Sequence, residues 1–166
     1  MLSKTARQLI IYHVFRFTKS VSIRDIRLYI SIKNKTAYRD IKDLNNAGLL
    51  QTIFSKKDQC YVHHKSTYDD SEQFYDPKYT ENQAYNRHLD KLRRLGRIMN
   101  RLHYNTLSYS DCLNWYQKAF PGVSTRTMQR DFKELTSIGY TIIYDRFEKC
   151  YYINFPRFED DIRQWK

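Results

Sequence analysis

Two short stretches hold the side chains best able to engage a ligand. "VSTRTMQRDFKELTSIGY" (Val123–Tyr140) carries Ser124, Thr125, Arg126, Gln129, Arg130 and Lys133. "IKNKTAYRDIKDLNNAGLL" (Ile32–Leu50) carries Asn34, Lys35, Tyr38, Arg39 and Lys42. A guanidinium can donate to both O6 and N7 of guanine, and a carboxamide can pair with N6 and N7 of adenine. Hydroxyls, ammonium groups and the N-terminus of a helix suit phosphate oxygens. The chemistry these residue types share is recognition of nucleic acid.

Catalytic chemistry has no comparable support. The chain shows no Ser/His/Asp or paired-carboxylate pattern, no phosphate-binding glycine loop and no dinucleotide fingerprint, so an enzyme is not expected. "CYVHH" (Cys60–His64) lacks the second pair of ligands a structural zinc site needs, so no metal and no cofactor are expected. Ser124 is placed to cap a helix rather than to act as a nucleophile.

The two stretches are copies. An offset of 91 lays residues 33–62 on 124–153 without a gap. The identities are Thr36/Thr127, Arg39/Arg130, Asp40/Asp131, Lys42/Lys133, Leu44/Leu135, Gly48/Gly139 and Tyr61/Tyr152. Upstream the offset becomes 86, pairing "VSIRDI" with "LSYSDC" and leaving five extra residues in the second copy around "QKAFPG". A unit of about 60 residues is thus present twice.

Each copy reads as three helices followed by a hairpin. The first helix spans about Ser3–Phe17, and its second-copy equivalent presents Leu89, Leu92, Leu95, Ile98, Met99 and Leu102 at helical spacing. Short second helices follow a serine cap, near Ile23–Tyr29 and Tyr109–Phe120. The third helices, near Lys33–Asn46 and Ser124–Ser137, end before Gly48 and Gly139. Met128, Phe132 and Leu135, like Ala37, Ile41 and Leu44, recur on one helix face and should be core. That turns the cations and amides outward. Asp40 and Asp131 are expected to orient a neighbouring Arg or Lys. The two β-favouring runs after each glycine flank a charged turn, with Lys56 and Lys57 at the first tip. The expected fold class is mainly α with small β-hairpins (α+β), a tandem winged helix-turn-helix.

Charge is distributed to match. The chain of 166 residues has a net charge of +11. Residues 1–65 carry +9 and 87–166 carry +6, whereas 66–86 carry −4. A basic excess in a small protein favours nucleic acid before an anionic membrane. No apolar run is long enough for a transmembrane helix, the N-terminus lacks a clean signal-peptide core, and three scattered cysteines suit a reducing compartment. A cytoplasmic, nucleoid-associated protein without membrane contact is expected. The domain reading is unit 1 over 1–65, an acidic aromatic-containing linker over 66–86, unit 2 over 87–155 and a tail over 156–166.

The second copy resembles the N-terminal winged helix-turn-helix of bacterial DeoR-type and WYL-domain transcription regulators. Ser124, Arg126, Thr127, Arg130, Asp131, Leu135 and Gly139 carry the likeness. The resemblance implies a recognition helix at Ser124–Ser137 and, through the repeat, at Lys33–Asn46. Lys33 stands where the family has its capping serine. The family's effector domain does not follow the second hairpin, so a small-molecule effector is not expected. These readings converge on a sequence-specific regulator of transcription, more specifically a repressor, whose partner is double-stranded DNA. A homodimer stays open. The alternatives are a plasmid or phage replication initiator and a protein-interaction module such as a phage-borne inhibitor of a host nucleoprotein.

Overall fold

A computed structural model describes residues 2–63 and 74–155. Residues 64–73, which end the expected first unit and begin the expected linker, and the tail from 156 lie outside the described residues. The elements run α1 (Lys4–Phe17), β1 (Ser20–Val21), α2 (Ile23–Tyr29), α3 (Asn34–Asn46), β2 (Thr52–Ser55) and β3 (Cys60–His63). The same order then recurs as α4 (Gln83–Tyr104), β4 (Leu107–Ser108), α5 (Tyr109–Ala119), α6 (Thr125–Ile138), β5 (Thr141–Asp145) and β6 (Cys150–Asn154). The fold is α+β, with six helices and two three-stranded antiparallel sheets among the described residues.

Helix starts are set by local chemistry. Ser22 accepts from the Asp25 amide while Asp25 accepts from the Ser22 amide, a reciprocal capping box at α2. Ser108 caps α5 through the Asp111 amide at 3.1 Å, and Ser124 caps α6 through the Thr127 amide at 3.2 Å. Lys33 makes no side-chain cap at α3. The five extra residues of the second copy lengthen its second helix, from seven residues in α2 to eleven in α5.

Each sheet gains a strand the sequence reading lacked. β1 pairs with β3 through Ser20↔Val62 and Val21↔Tyr61, and β4 pairs with β6 through Leu107↔Tyr151 and Ser108↔Cys150. The strand orders are β1-β3-β2 and β4-β6-β5. Two residues are too few to show the alternation that marks a strand, so long-range pairing alone defines them.

The ladders also correct the repeat alignment. Val21 opposes Tyr61 and its counterpart Leu107 opposes Tyr151, so Tyr61 matches Tyr151 and not Tyr152. The positive-φ turn residues Gln59 and Lys149 are likewise 90 apart. One residue has been gained or lost between the glycine and the hairpin. With that gap Ile53/Ile143, Cys60/Cys150 and Tyr61/Tyr151 become identical pairs, and Phe54 meets Tyr144. A single Tyr61/Tyr152 match had concealed the shift because both neighbouring positions are tyrosine.

The chain divides into two compact units, one ending at Gly96 and one beginning at Arg97. The first unit therefore extends beyond residue 65, because residues 74–96 pack back on it. The Tyr75 amide donates to the Gly48 carbonyl at 2.9 Å and the Lys78 amide to the Asn46 carbonyl at 2.7 Å. Arg93 donates to the carbonyls of Ala47 (3.0 Å) and Tyr75. These bonds satisfy backbone acceptors at the end of α3 that would otherwise need water. Gly48, at φ 74°, has no room for a side chain: a Cβ would lie 2.1 Å from the Tyr75 oxygen. Gly96 lets α4 approach Leu49 closely, where a Cβ would meet a Leu49 methyl at 2.6 Å. Leu89, Leu92 and Leu95 consequently belong to the first unit, and Ile98, Met99 and Leu102 to the second; all six are buried.

Core formation follows the helical spacing. In the first unit Leu9, Ile11, Phe15, Ile26, Ala37, Ile41, Leu44 and Leu49 are almost fully buried. The second unit buries Cys112, Tyr116, Met128, Leu135 and Tyr140 to a similar degree. Burial of the Cys112 thiol pushes its pKa up to about 11, which makes it an inert packing group. No described helix is long and apolar enough to cross a membrane.

Candidate nucleic-acid interface

The outer faces of α3 and α6 are set by what each helix must bury. Ala37, Ile41 and Leu44 face the first core, and Met128, Phe132 and Leu135 the second. At 3.6 residues per turn the opposite face then carries Lys35, Arg39 and Lys42 in one unit and Arg126, Arg130 and Lys133 in the other. All six are exposed, and they occupy the same three positions of the repeat. Asn34, Tyr38 and Ser124 are also exposed, while Thr125 and Gln129 are half-exposed. Lys56 and Lys57 are exposed at the first hairpin tip. Each expected site residue thus lies at its unit's surface, in the α3 or α6 stripe or at the hairpin tip.

Three of the four acidic residues of these helices turn the other way, and the fourth, Glu134, is half-buried. Asp40 is buried and forms an ion pair with Arg7 of α1, which also donates through Nη2 at 3.1 Å. Gln8 Nε2 bridges Asp40 (3.1 Å) and Asp43 (2.8 Å). Asp43 accepts from Lys4 (2.9 Å) and from the Tyr85 hydroxyl (2.7 Å). Burial would raise the Asp43 carboxyl, but Lys4, Tyr85 and Gln8 together hold it below its ordinary value. The Asp40 hydrogen bond raises the Arg7 pKa. In the second unit Asp131 is buried and accepts from the Tyr116 hydroxyl at 2.8 Å. The expected ion pair with an arginine is present at Asp40, and its partner is Arg7 of α1 and not a cation of its own helix. Asp40 pairs across the core with Arg7, thirty-three residues away, and both aspartates are withdrawn from the surface that Arg39 and Arg130 occupy. Withdrawal of the carboxylates leaves a stripe of cations and neutral donors.

A side chain near the end of each third helix ties it to its hairpin. Asn45 Oδ1 accepts from the Thr52 amide at 2.9 Å and its Nδ2 donates to Thr52 Oγ1 at 3.0 Å. Thr136, at the matching position, accepts from the Ile142 amide at 3.2 Å. Beside this bond each unit holds a cross-strand aromatic pair that the sequence reading missed. Phe54 and Tyr61 lie 5.1 Å apart, and Tyr144 and Tyr151 lie 4.8 Å apart. Their signal was available as "IF" or "IY" separated by five residues from "CY", visible once the one-residue gap is allowed. In the second unit these rings, with Gln129, Lys133 and Thr136, line a shallow groove of about 290 Å³ between α6 and the hairpin.

The hairpin tips are fixed by short polar turns. Ser55 and Asp58 bond to each other at 3.0 Å at the first tip. Asp145 accepts from the amides of Phe147 (2.8 Å) and Glu148 (3.0 Å) at the second. The first tip presents Lys56 and Lys57; the second presents Arg146 and a Phe147 that is 90% exposed. Among the described residues no group of three or more His, Cys, Asp or Glu side chains is arranged to hold a metal ion. No protein family, curated protein or solved structure matches this chain.

Proposed function

We propose that each unit is a winged helix-turn-helix and that the chain binds double-stranded DNA through α3 and α6, regulating transcription as a repressor that occupies its site. The hairpins β2–β3 and β5–β6 are the wings. The observation that carries this reading is the sorting of charge on the third helices. Lys35, Arg39 and Lys42 match Arg126, Arg130 and Lys133 position for position on the outside, while Asp40, Asp43 and Asp131 are buried and Glu134 is half-buried. A merely soluble helix gains nothing from hiding its carboxylates, since a mixed surface solvates equally well. A helix that meets a polyanion does gain. The element order helix–strand–helix–helix–strand–strand and the likeness to DeoR-type and WYL-domain regulators support the same assignment.

The two helices differ where bases would be read: Asn34, Lys35, Tyr38 and Arg39 against Thr125, Arg126, Gln129 and Arg130. Selection of duplexes from a random library at about 150 mM salt, where non-specific attraction is weakened, is expected to yield a motif with two unlike half-sites. Arg39→Ala and Arg130→Ala should each cost about 1–3 kcal/mol, each relaxing a different half. Salt-sensitive binding without a motif would overturn sequence reading. That result would bring forward the second reading, a protein-interaction module, with Phe147, 90% exposed on a structured tip, as the first contact to test.

A further inference from the structure

The cationic surface of the first unit does not stop at α3. Arg24 and Arg27 lie three residues apart on α2, hence on one face of that helix, and both are exposed. With Ile23, Leu28 and Asn34 they line a shallow groove of about 340 Å³ between α2 and the start of α3. Neither arginine forms an ion pair among the described residues. The one acidic residue of α2, Asp25, is turned back into the capping box, where it accepts from the Ser22 amide (2.7 Å) and hydroxyl (2.8 Å). Like charges at this spacing repel, so the pair lacks a counter-charge within its own unit. The second unit is built differently at the same place. Val21 and Leu107 pair with matching strands and Ser22 and Ser108 cap matching helices, so Arg24 corresponds to Ser110 and Arg27 to Leu113. Asp111, the counterpart of Asp25, is exposed, and the one cation of α5, Lys118, stands in the turn that α2 lacks. Elsewhere the two surfaces balance. Each third helix has three exposed cations and each hairpin tip two, Lys56 and Lys57 against Arg146 and Lys149.

We propose that Arg24 and Arg27 form a phosphate clamp beside α3, which makes the first unit the sequence-independent anchor of the chain on duplex DNA and leaves the second to depend more on base contacts. The proposal rests on the DNA-binding reading of α3 and α6 and names how the two units share that task. Charge complementarity selects the occupant. The backbone of DNA supplies the missing counter-charge, and Asn34 at the rim of the groove adjoins Lys35 of the α3 stripe. Guanidinium groups hold phosphate oxygens through paired N–H donors, whatever base the phosphate carries. Each phosphate neutralised releases counterions and adds about 0.9 to the dependence of log affinity on log salt. A clamp of this kind keeps the chain on DNA of any sequence while α6 meets successive bases.

The test uses the full chain and two duplexes of equal length, the site selected from the random library and an unrelated sequence, each titrated with salt. Wild type is expected to bind both, the selected site more tightly. Replacing both arginines, Arg24→Ala with Arg27→Ala, should weaken the two duplexes by the same factor, about tenfold at about 150 mM salt. It should also reduce the salt slope by about two and leave the selected motif unchanged. The pair Arg24→Gln with Arg27→Gln, which keeps polar side chains, should do the same. Arg24→Lys with Arg27→Lys should keep the wild-type slope, because a phosphate accepts from either cation. Lys118→Ala should change the slope far less than the arginine pair does. An unchanged slope in the alanine and glutamine pairs would overturn the clamp while leaving duplex recognition standing. A changed motif in these variants would assign the arginines to bases and overturn it as well. A slope change in Lys118→Ala equal to that of the arginine pair would overturn the division between the units. Failure of wild type to bind either duplex would overturn both this proposal and the DNA-binding reading.

Discussion

The two units follow one chain path and solve its problems with different chemistry. The first anchors its third helix through a buried charge network, Arg7–Asp40 with Gln8, Asp43, Lys4 and Tyr85 around it. In the second, the matching aspartate accepts from a phenol, Tyr116. The first ends its third helix beneath a covering segment, with Gly48 against Tyr75 and Arg93. The second ends its helix with Gly139 in the left-handed conformation at φ 113°. What stays constant is the outward stripe of three cations and the cross-strand aromatic pair. The recurrence of that stripe is what the proposed DNA-binding role would require.

The sharpest way to separate the units is at their glycines. Gly48→Ala would force an L-residue to φ 74° and drive its methyl into the Tyr75 carbonyl and the Arg93 guanidinium. The expected cost is about 3 kcal/mol or more, confined to the unfolding of the first unit. Gly122→Ala in the second unit meets the same backbone penalty at φ 81°, but nothing lies within 4 Å of the new methyl. It should cost only about 1 kcal/mol. Denaturant unfolding of the two variants, each followed by a probe in the affected unit, measures the difference. Equal costs would mean that the covering segment does not hold Gly48 tightly.

The aspartates give the next largest contrast. Asp40→Asn removes the charge that pairs with Arg7 and is expected to destabilise the first unit by about 3 kcal/mol, because a partly buried guanidinium loses its counterion. Asp131→Asn keeps a carbonyl oxygen able to accept from Tyr116, so the loss through that bond should be only about 1 kcal/mol. Chemical unfolding at neutral pH distinguishes them. If the Asp131 variant proves the more damaging, the second unit depends on its carboxylate charge and the contrast between the anchors is lost.

Acid should act on the first unit before the second. His63 packs edge-on against Phe15 at 5.2 Å, and burial lowers its pKa from 6.5 to about 4. Between pH about 6.5 and 4 the unfolded chain binds a proton that the folded unit refuses. Stability is therefore complete above that window and falls as pH drops through it, by on the order of 2 kcal/mol from this group. His88, whose pKa burial also lowers, adds to the same slope. The corrected register places Ile153 at the matching position of the second unit, where it is buried. His63→Ile should flatten the pH dependence of the first unit's melting temperature over this window. An unchanged slope would assign the acid sensitivity to other groups.

Local chemistry made much of this legible in the sequence. Serine caps, the Met128–Phe132–Leu135 spacing and the glycine stops act within a few residues, so helices and repeat could be read directly. Distant partners hid the rest. β1 and β4 exist only because β3 and β6 pair with them. The early start of α4 at Gln83 is aided by the Asn82 side chain, which accepts from the Tyr85 amide at 3.1 Å. Its first turns are then held by Tyr85 on Asp43 and His88 on Gln8, both more than forty residues away in sequence. For the interface, periodicity alone assigned the outward cations. The aromatic pairs escaped because a tyrosine-rich strand matches itself in two registers.

The smallest effect tests whether the first unit's weaker helix start is a concession to binding. Ser124 caps α6 by accepting from the Thr127 amide, whereas Lys33 offers α3 no such bond. Ser124→Ala should destabilise the second unit by about 1 kcal/mol, and Lys33→Ser should stabilise the first by a similar amount. In the DNA-binding reading Lys33 brings a cation to the helix N-terminus, where a phosphate would sit. Lys33→Ser is then expected to raise stability while lowering DNA affinity and reducing the salt slope by about one. Calorimetry and a salt titration of binding on the same variant give both numbers. A gain in stability with no loss of affinity would show that the missing cap does not serve the interface. The first unit would then simply be the less well-optimised copy.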